Sequence, residues 1–247
     1  MAGPRGEAVW GFETARALDR VLVLSPHLDD AIMSCGAFLL AHPGATVATL
    51  FAASPATYSV PLNEHDLACG FEPGDDSMAV RRAEDARALA VVGATPRWLD
   101  FCQNSHVERA EPLAVPVGAL EAVEGLLAEL APTTVVAPLG LLHADHQALH
   151  ATALAAWVRA APEIAWLWYS DVPYVYVPTV LSARLRALYK VGLIATPACP
   201  PLSNDFEAKW RAFREYATQQ PAMDAPWRLR DRLERAGETY WTLASFG

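Results

Sequence analysis

RVLVLSPHLDDAIMSCGAFLLAHPG, residues 20–44, is the stretch on which the fold turns. Val21-Leu22-Val23-Leu24 is a continuous apolar, partly β-branched run, the signature of a strand buried on both faces. Ser25-Pro26 stops it, because proline cannot donate to a ladder. A second apolar pattern runs from about Asp30 to Leu40, and Pro43-Gly44 ends it. The segment therefore predicts strand, tight turn and helix, with His27, Asp29 and Asp30 in the turn. Adjacent Asp29 and Asp30 repel unless positive charge sits nearby. A helix N-terminus supplies about half a charge; a divalent cation supplies more. His27 and Asp30 are three apart and can converge within one helical turn. Imidazole nitrogen with carboxylate oxygen suits zinc and similar metals. The alternative for this stretch alone is an acidic helix cap beside a loop histidine.

A second stretch, TTVVAPLGLLHADHQALHATALAAWV at residues 133–158, repeats the plan. Thr133 to Ala137 reads as a strand and Pro138 to Leu142 as a loop. His143, Asp145, His146 and His150 then lead into a helix from about Gln147 to Arg159. In a parallel α/β sheet the carboxyl ends of the strands share one edge, where ligands bind. Both polar clusters fall on that edge. SPHLDDAIMSCGA resembles the Pro-His-Pro-Asp-Asp-Glu motif of the LmbE-like (PIG-L-like) N-acetylglucosamine deacetylases. HADH resembles their His-Pro-Asp-His motif, and RRAEDARALAVVGA their Arg-x-x-Glu…Leu-Gly helix. Leu28 and Ala144 replace prolines of the pattern, and Ala31 replaces its glutamate, which bears on how the ligands are tuned.

The expected architecture is a Rossmann-like, doubly wound, mostly parallel sheet with helices on both faces. Residues 1–247 read as one domain, with a core at about 20–170 and a C-terminal extension packed on it. The segment ETARALDR predicts a short helical lead-in. Further strands are expected at 45–52, 97–101 and 164–169, with a short candidate at 193–194. Further helices are expected at 78–92, 120–130 and 182–188, along one long helix at 205–220, and at the start of 228–243 before an aromatic tail. Residues 53–77 and 102–117 read as long loops, the first a candidate substrate lid. His65, Asp66, Asp75 and Asp76 there read as solvated, like the charges of the 78–92 helix, where Arg81–Glu84 is an i,i+3 pair. His106 falls in the second loop, and His150 on a helix surface.

The resemblance implies a site. His27, Asp30 and His146 would hold Zn²⁺, or another divalent metal such as Fe²⁺. Asp29 would be the general base. His143, if protonated, would stabilise an oxyanion or protonate the departing amine. Asp145 would orient a histidine, and Arg81 (or Arg82, one register away) would meet polar substrate groups. Tyr174 or Tyr176 could stack on a sugar ring. The implied reaction is hydrolysis of an N-acyl group from a small amino-sugar compound. Hydrolysis of a non-sugar amide and a non-catalytic ligand binder on the same fold are the alternatives.

Composition narrows the class. Hydrophobic residues make up 53%, mean hydropathy is +0.14, and net charge is −9. Polyphosphate partners are disfavoured, since nucleic-acid affinity rests on Lys and Arg. No apolar run approaches the roughly 20 residues of a membrane span, so no membrane partner is expected. The N-terminus has no apolar signal region, and the four cysteines are scattered without Cys-x-x-Cys spacing. These features imply a cytoplasmic setting; Cys35 reads as a packing residue. The turn after residue 25 lacks Gly-x-Gly-x-x-Gly and carries carboxylates that repel phosphate, which argues against a nucleotide-binding turn. A homo-oligomeric assembly is compatible with all of this.

Overall fold

The computed structural model describes residues 18–58, 62–107 and 114–246. The lead-in helix expected over residues 13–20 lies mostly outside them. β1 (Val21–Ser25) is buried at every position. Its alternate residues serve opposite faces: Val21 and Val23 join one core cluster, Leu22 and Leu24 the other. β2 (Thr46–Thr49), β3 (Thr95–Trp98), β4 (Thr134–Pro138) and β5 (Ala165–Tyr169) pair with it in parallel. β6 (Leu193–Ala198) and β7 (Tyr240–Ser245) complete a seven-stranded sheet in the order β3-β2-β1-β4-β5-β7-β6, with β7 antiparallel to both its neighbours. The chain winds outward from β1 to β3 and returns to β4 on the other side. Between β1 and β4 the connections leave in opposite directions, which opens a crevice at their carboxyl ends.

α1 (Asp30–Ala41) and α3 (Ser77–Val91) cover one face; α4 (Ala119–Leu130) and α5 (Ala144–Arg159) cover the other. A five-residue helix, α2 (Glu64–Ala68), lies in the first long loop. α6 (Val180–Lys190) precedes β6.

The structure corrects several expectations. β2 is shorter than 45–52, and β3 begins at Thr95, two residues before its predicted start. The sequence 193–198 forms a full six-residue strand, because β7 pairs along it; β7 itself is the predicted aromatic tail. The long helix expected over 205–220 is two, α7 (Phe206–Arg214) and α8 (Gln219–Trp227), followed by α9 (Leu229–Ala236).

α7 lies across α3, so the charged face read as solvated is buried. Arg81, Glu84 and Asp85 are each 2% exposed. Arg81 and Glu84 do not pair; each has a distant partner, described below.

Asp85 accepts from Trp98 Nε1 and Tyr216 Oη, both at 2.7 Å. Neither donor is charged, and burial lifts the carboxyl to about 7 despite these bonds. The unfolded chain releases this proton near 4 and the folded chain keeps it until about 7. Stability therefore falls as pH rises through that window and levels off above it. In Asp85→Asn one oxygen still serves Trp98 and no charge forms. The variant should lose this slope and, measured relative to its own melting temperature at pH 5, gain at least about 3 °C on wild type at pH 8. Parallel pH profiles for the two proteins would refute it.

Candidate active site and metal centre

The turn after β1 and the start of α5 place five candidate residues around one point. Asp30 opens α1, and its Oδ2 accepts from the His27 backbone N–H at 3.0 Å, which closes the turn. His27 Nδ1 lies 3.2 Å and His146 Nε2 3.1 Å from that same Oδ2. The second nitrogen of each ring is held by another carboxylate. His27 Nε2 meets Asp145 Oδ2 at 3.0 Å, and His146 Nδ1 meets Asp171 Oδ1 at 2.7 Å. α5 starts at Ala144 rather than Gln147, so His146 sits in its first turn and His143 is its N-cap. His143 Nδ1 accepts from the Asp145 backbone N–H at 3.1 Å. That bond puts the proton of a neutral ring on Nε2.

Asp29 caps α1 by position only, since its side chain makes no capping bond. Its carboxylate lines a cavity of about 270 Å³ together with His27, Phe51, Arg81, His143 and Tyr174. Arg81 enters this cavity, whereas Arg82 donates to the Ala52 carbonyl at 2.6 Å and to Ser54. Tyr174 lies against His143, with ring centroids 5.9 Å apart.

The electrostatics follow from four buried carboxylates around two rings. Burial opposes the charge on His27, but Asp145 and Asp30 outweigh it and lift the ring to about 9. Burial likewise opposes His146, and Asp30 and Asp171 lift it to about 10. Burial works against ionised Asp30 too, yet His146 and His27 hold it well below the usual carboxylate range. Asp29 goes the other way: burial, then the Asp30 charge, push it up to about 7. Burial, then the His27 and His146 charges, push His143 down to about 3. Beside charged His27 and His146 rings, then, the condition set for His143, a protonated ring, is disfavoured.

The donor set suits a divalent cation. His146 Nε2 is buried, and its approach to Asp30 Oδ2 is not aligned as a hydrogen bond. Two ligands of one tetrahedral zinc lie about 3.3 Å apart, given bonds of about 2.0–2.1 Å. The 3.1 and 3.2 Å separations at Asp30 are of that size. Carboxylates behind both histidines are the usual outer support of metal-bound imidazole. His27, His143 and His146 also bring one nitrogen each within 4.8 Å of one another.

Some site residues escaped the sequence. Asp171 follows β5 on the same edge, the signal that marked His27, but it was hidden in the aromatic stretch SDVPYVYVP. Its Oδ2 also accepts from Gly140 and Leu141 N–H, at 2.9 and 3.1 Å. Gly140 is left-handed (φ +79°), and a Cβ there would meet His150 Cβ at 2.7 Å, so both backbone and space call for glycine. His150 is buried and donates to the Pro138 carbonyl, contrary to its expected helix-surface place. Asp66, expected to be solvated, and His106 of the second loop are buried and bonded at 3.0 Å, and Asp66 pairs with Arg81 at 2.8 Å. Asp171→Asn should weaken metal affinity about 10–100-fold, read by chelator competition; an unchanged affinity would end its supporting role.

A family described as PIG-L, GlcNAc-PI de-N-acetylase, matches residues 22–157. Among solved structures, the A40926 pseudoaglycone deacetylase Dbv21 is 27% identical with a TM-score of 0.76, over 93% of this chain and 99% of that one. N,N'-diacetylchitobiose deacetylase from Pyrococcus horikoshii shares the fold at 17% identity and a TM-score of 0.57, over 92% of this chain and 84% of that one. A 5-oxoprolinase component from Kocuria rhizophila is 37% identical over 148 residues, 55% of this chain. The match spans about half of that relative, 54% of its length. No helix among the described residues is long and apolar enough to cross a membrane. With the family match extending over more than half of the 247 residues and around both histidine motifs, the chain belongs to the PIG-L (LmbE-like) family.

Proposed function

We propose that this protein is a metal-dependent hydrolase that removes an N-acyl group, acetyl in the first instance, from a small amino-sugar compound. The observation that carries the reading is the convergence of His27 and His146, each backed by a carboxylate, on Asp30 beside the cavity-facing Asp29. His27, Asp30 and His146 would hold the metal, Zn²⁺ or Fe²⁺. The bond from Asp145 N–H to His143 Nδ1 favours this set over three histidines, because it occupies one nitrogen of His143 and leaves a proton on the other. A divalent cation there lowers the pKa of water to about 7 and polarises a carbonyl.

The chain's own groups supply the rest. The Asp29 side chain makes no capping bond to α1 and takes a proton from the attacking water. The water oxygen bonds to the acyl carbon, and His143 Nε2–H donates to the oxygen that gains charge. The C–N bond breaks, Asp29 returns its proton to the nitrogen, and amine and carboxylate leave. Arg81 and Tyr174 form the wall that receives the sugar. Asp145 orients His27. The whole chain acts as one domain, its C-terminal extension closing the cavity. A cytoplasmic setting accords with four scattered cysteines that include no Cys-x-x-Cys spacing.

The names of the deacetylase neighbours support the acyl-amide reading. The name of the Kocuria relative favours a second one, hydrolysis of a non-sugar amide. One assay separates them. Protein loaded with Zn²⁺ or Fe²⁺ is given N-acetylated amino sugars, N-acetylated amino acids and 5-oxoproline, and free amine is scored. Release from the sugars alone is expected. Release confined to the amino-acid compounds would replace the first reading with the second, and no release from any would leave only a ligand-binding role.

A further inference from the structure

We propose that Gln219, held by Glu84 through Thr218, is a specificity-determining residue that donates a hydrogen bond to an uncharged oxygen of the substrate, a hydroxyl, away from the reacting amide. The inference rests on the cavity being the substrate site. It goes beyond the family match, which ends at residue 157.

Gln219 opens α8, is 3% exposed and lines the cavity. Its Nε2 is buried with no hydrogen-bond partner among the described residues, and so is Arg81 Nε, on the same cavity. A buried donor left unpaired costs about 1–3 kcal/mol. Two on one wall await an acceptor, and the cavity is where one arrives. Charge decides its kind. Arg81 already faces Asp66 at 2.8 Å, so the wall carries no net positive charge. Neutral hydroxyls satisfy the donors there without burying a second carboxylate.

The placement of Gln219 is built in. Both Glu84 oxygens are occupied by Thr218, one by its N–H and one by its hydroxyl, each at 2.8 Å. Glu84 lies one helical turn from Arg81 on α3. One helix thus carries one donor directly and fixes the other through a two-point clamp. Thr218 takes the place at Glu84 that the i,i+3 spacing had assigned to Arg81.

Binding of glucosamine tests this without requiring turnover, with cyclohexylamine as the hydroxyl-free counterpart, each titrated into the metal-loaded full chain by calorimetry or ligand-observed NMR. Gln219→Met keeps about the size, removes the donor and adds no charge. It and Gln219→Ala should weaken glucosamine binding about tenfold and leave cyclohexylamine unchanged. Thr218→Val should act in the same direction, and Thr218→Ser should restore wild-type affinity by returning the hydroxyl to Glu84. Equal glucosamine affinity in wild type and the Gln219 variants overturns the proposal. So does an equal loss for cyclohexylamine, which would mean general damage to the cavity, and so does a wild type that binds no glucosamine. Failure of the hydrolase reading shows elsewhere, as no amine from any acylated compound, and leaves these binding outcomes intact.

Discussion

Replacing His146 by alanine should take metal content from about one ion per chain to below about 0.1, and turnover to the background rate. The ring is 1% exposed, so nothing else reaches its place. Its loss would remove one atom of the proposed ligand set and strand two buried carboxylates, Asp30 and Asp171, that it bridges at 3.1 and 2.7 Å. Uncompensated buried charge is strongly destabilising, about 3–5 kcal/mol for a broken pair. The alanine variant should therefore also melt lower. His146→Gln separates the two effects, because its amide can still donate toward Asp171. It should fold better than the alanine variant and still fail to hold metal. Elemental analysis of protein purified without a metal-affinity tag, beside a thermal melt, reads both. Full occupancy in either variant would take His146 out of the ligand set.

Asp29→Asn should lower kcat by about 10²–10⁴-fold while metal content stays within wild-type range. The amide is nearly isosteric with the carboxylate but cannot accept a proton at neutral pH. His27 and His146 act on Asp29 through their charge, so the proposed ligand atoms should stay where they are. Asparagine also carries no charge to repel Asp30. A rise in KM with kcat unchanged would remove Asp29 from the chemistry and leave it a role in binding alone. Loss of metal in this variant would instead make it a ligand.

Local pattern exposed the strand–turn–helix units. Val21 to Leu24 and Thr133 to Ala137 are unbroken apolar runs, and a buried parallel strand leaves that trace wherever it lies in the sheet. The turns were legible for the same reason: polar residues directly after such a run fall on the ligand-binding edge of any parallel sheet. Hence order alone marked His27, Asp29, Asp30, His143, Asp145, His146 and His150, the resemblance picked the site set among them, and the structure brings His27, Asp30, His143, Asp145 and His146 together. Boundaries were harder. The second strand ends at Thr49 and the third begins at Thr95, because pairing partners, not propensity, decide where a strand stops.

What escaped the sequence has one physical cause. Burial is a property of whatever packs on top, and that comes from far along the chain. Arg81, Glu84 and Asp85 sit on a helix with charges at intervals that fit a wet surface, and only the later α7 and α8 make that surface an interior. Asp66 and His106 looked like loop polars, 40 residues apart, until the two loops met over Arg81. Asp171 reaches His146, and Gln219 the cavity, from beyond the two motifs. The sequence by itself determined the sheet edge and the histidines and carboxylates upon it, since strand periodicity and residue type are local. The tertiary structure alone decided which carboxylate backs which histidine and which donors line the wall, since those pairings span 25 to 134 residues and depend on how the layers stack.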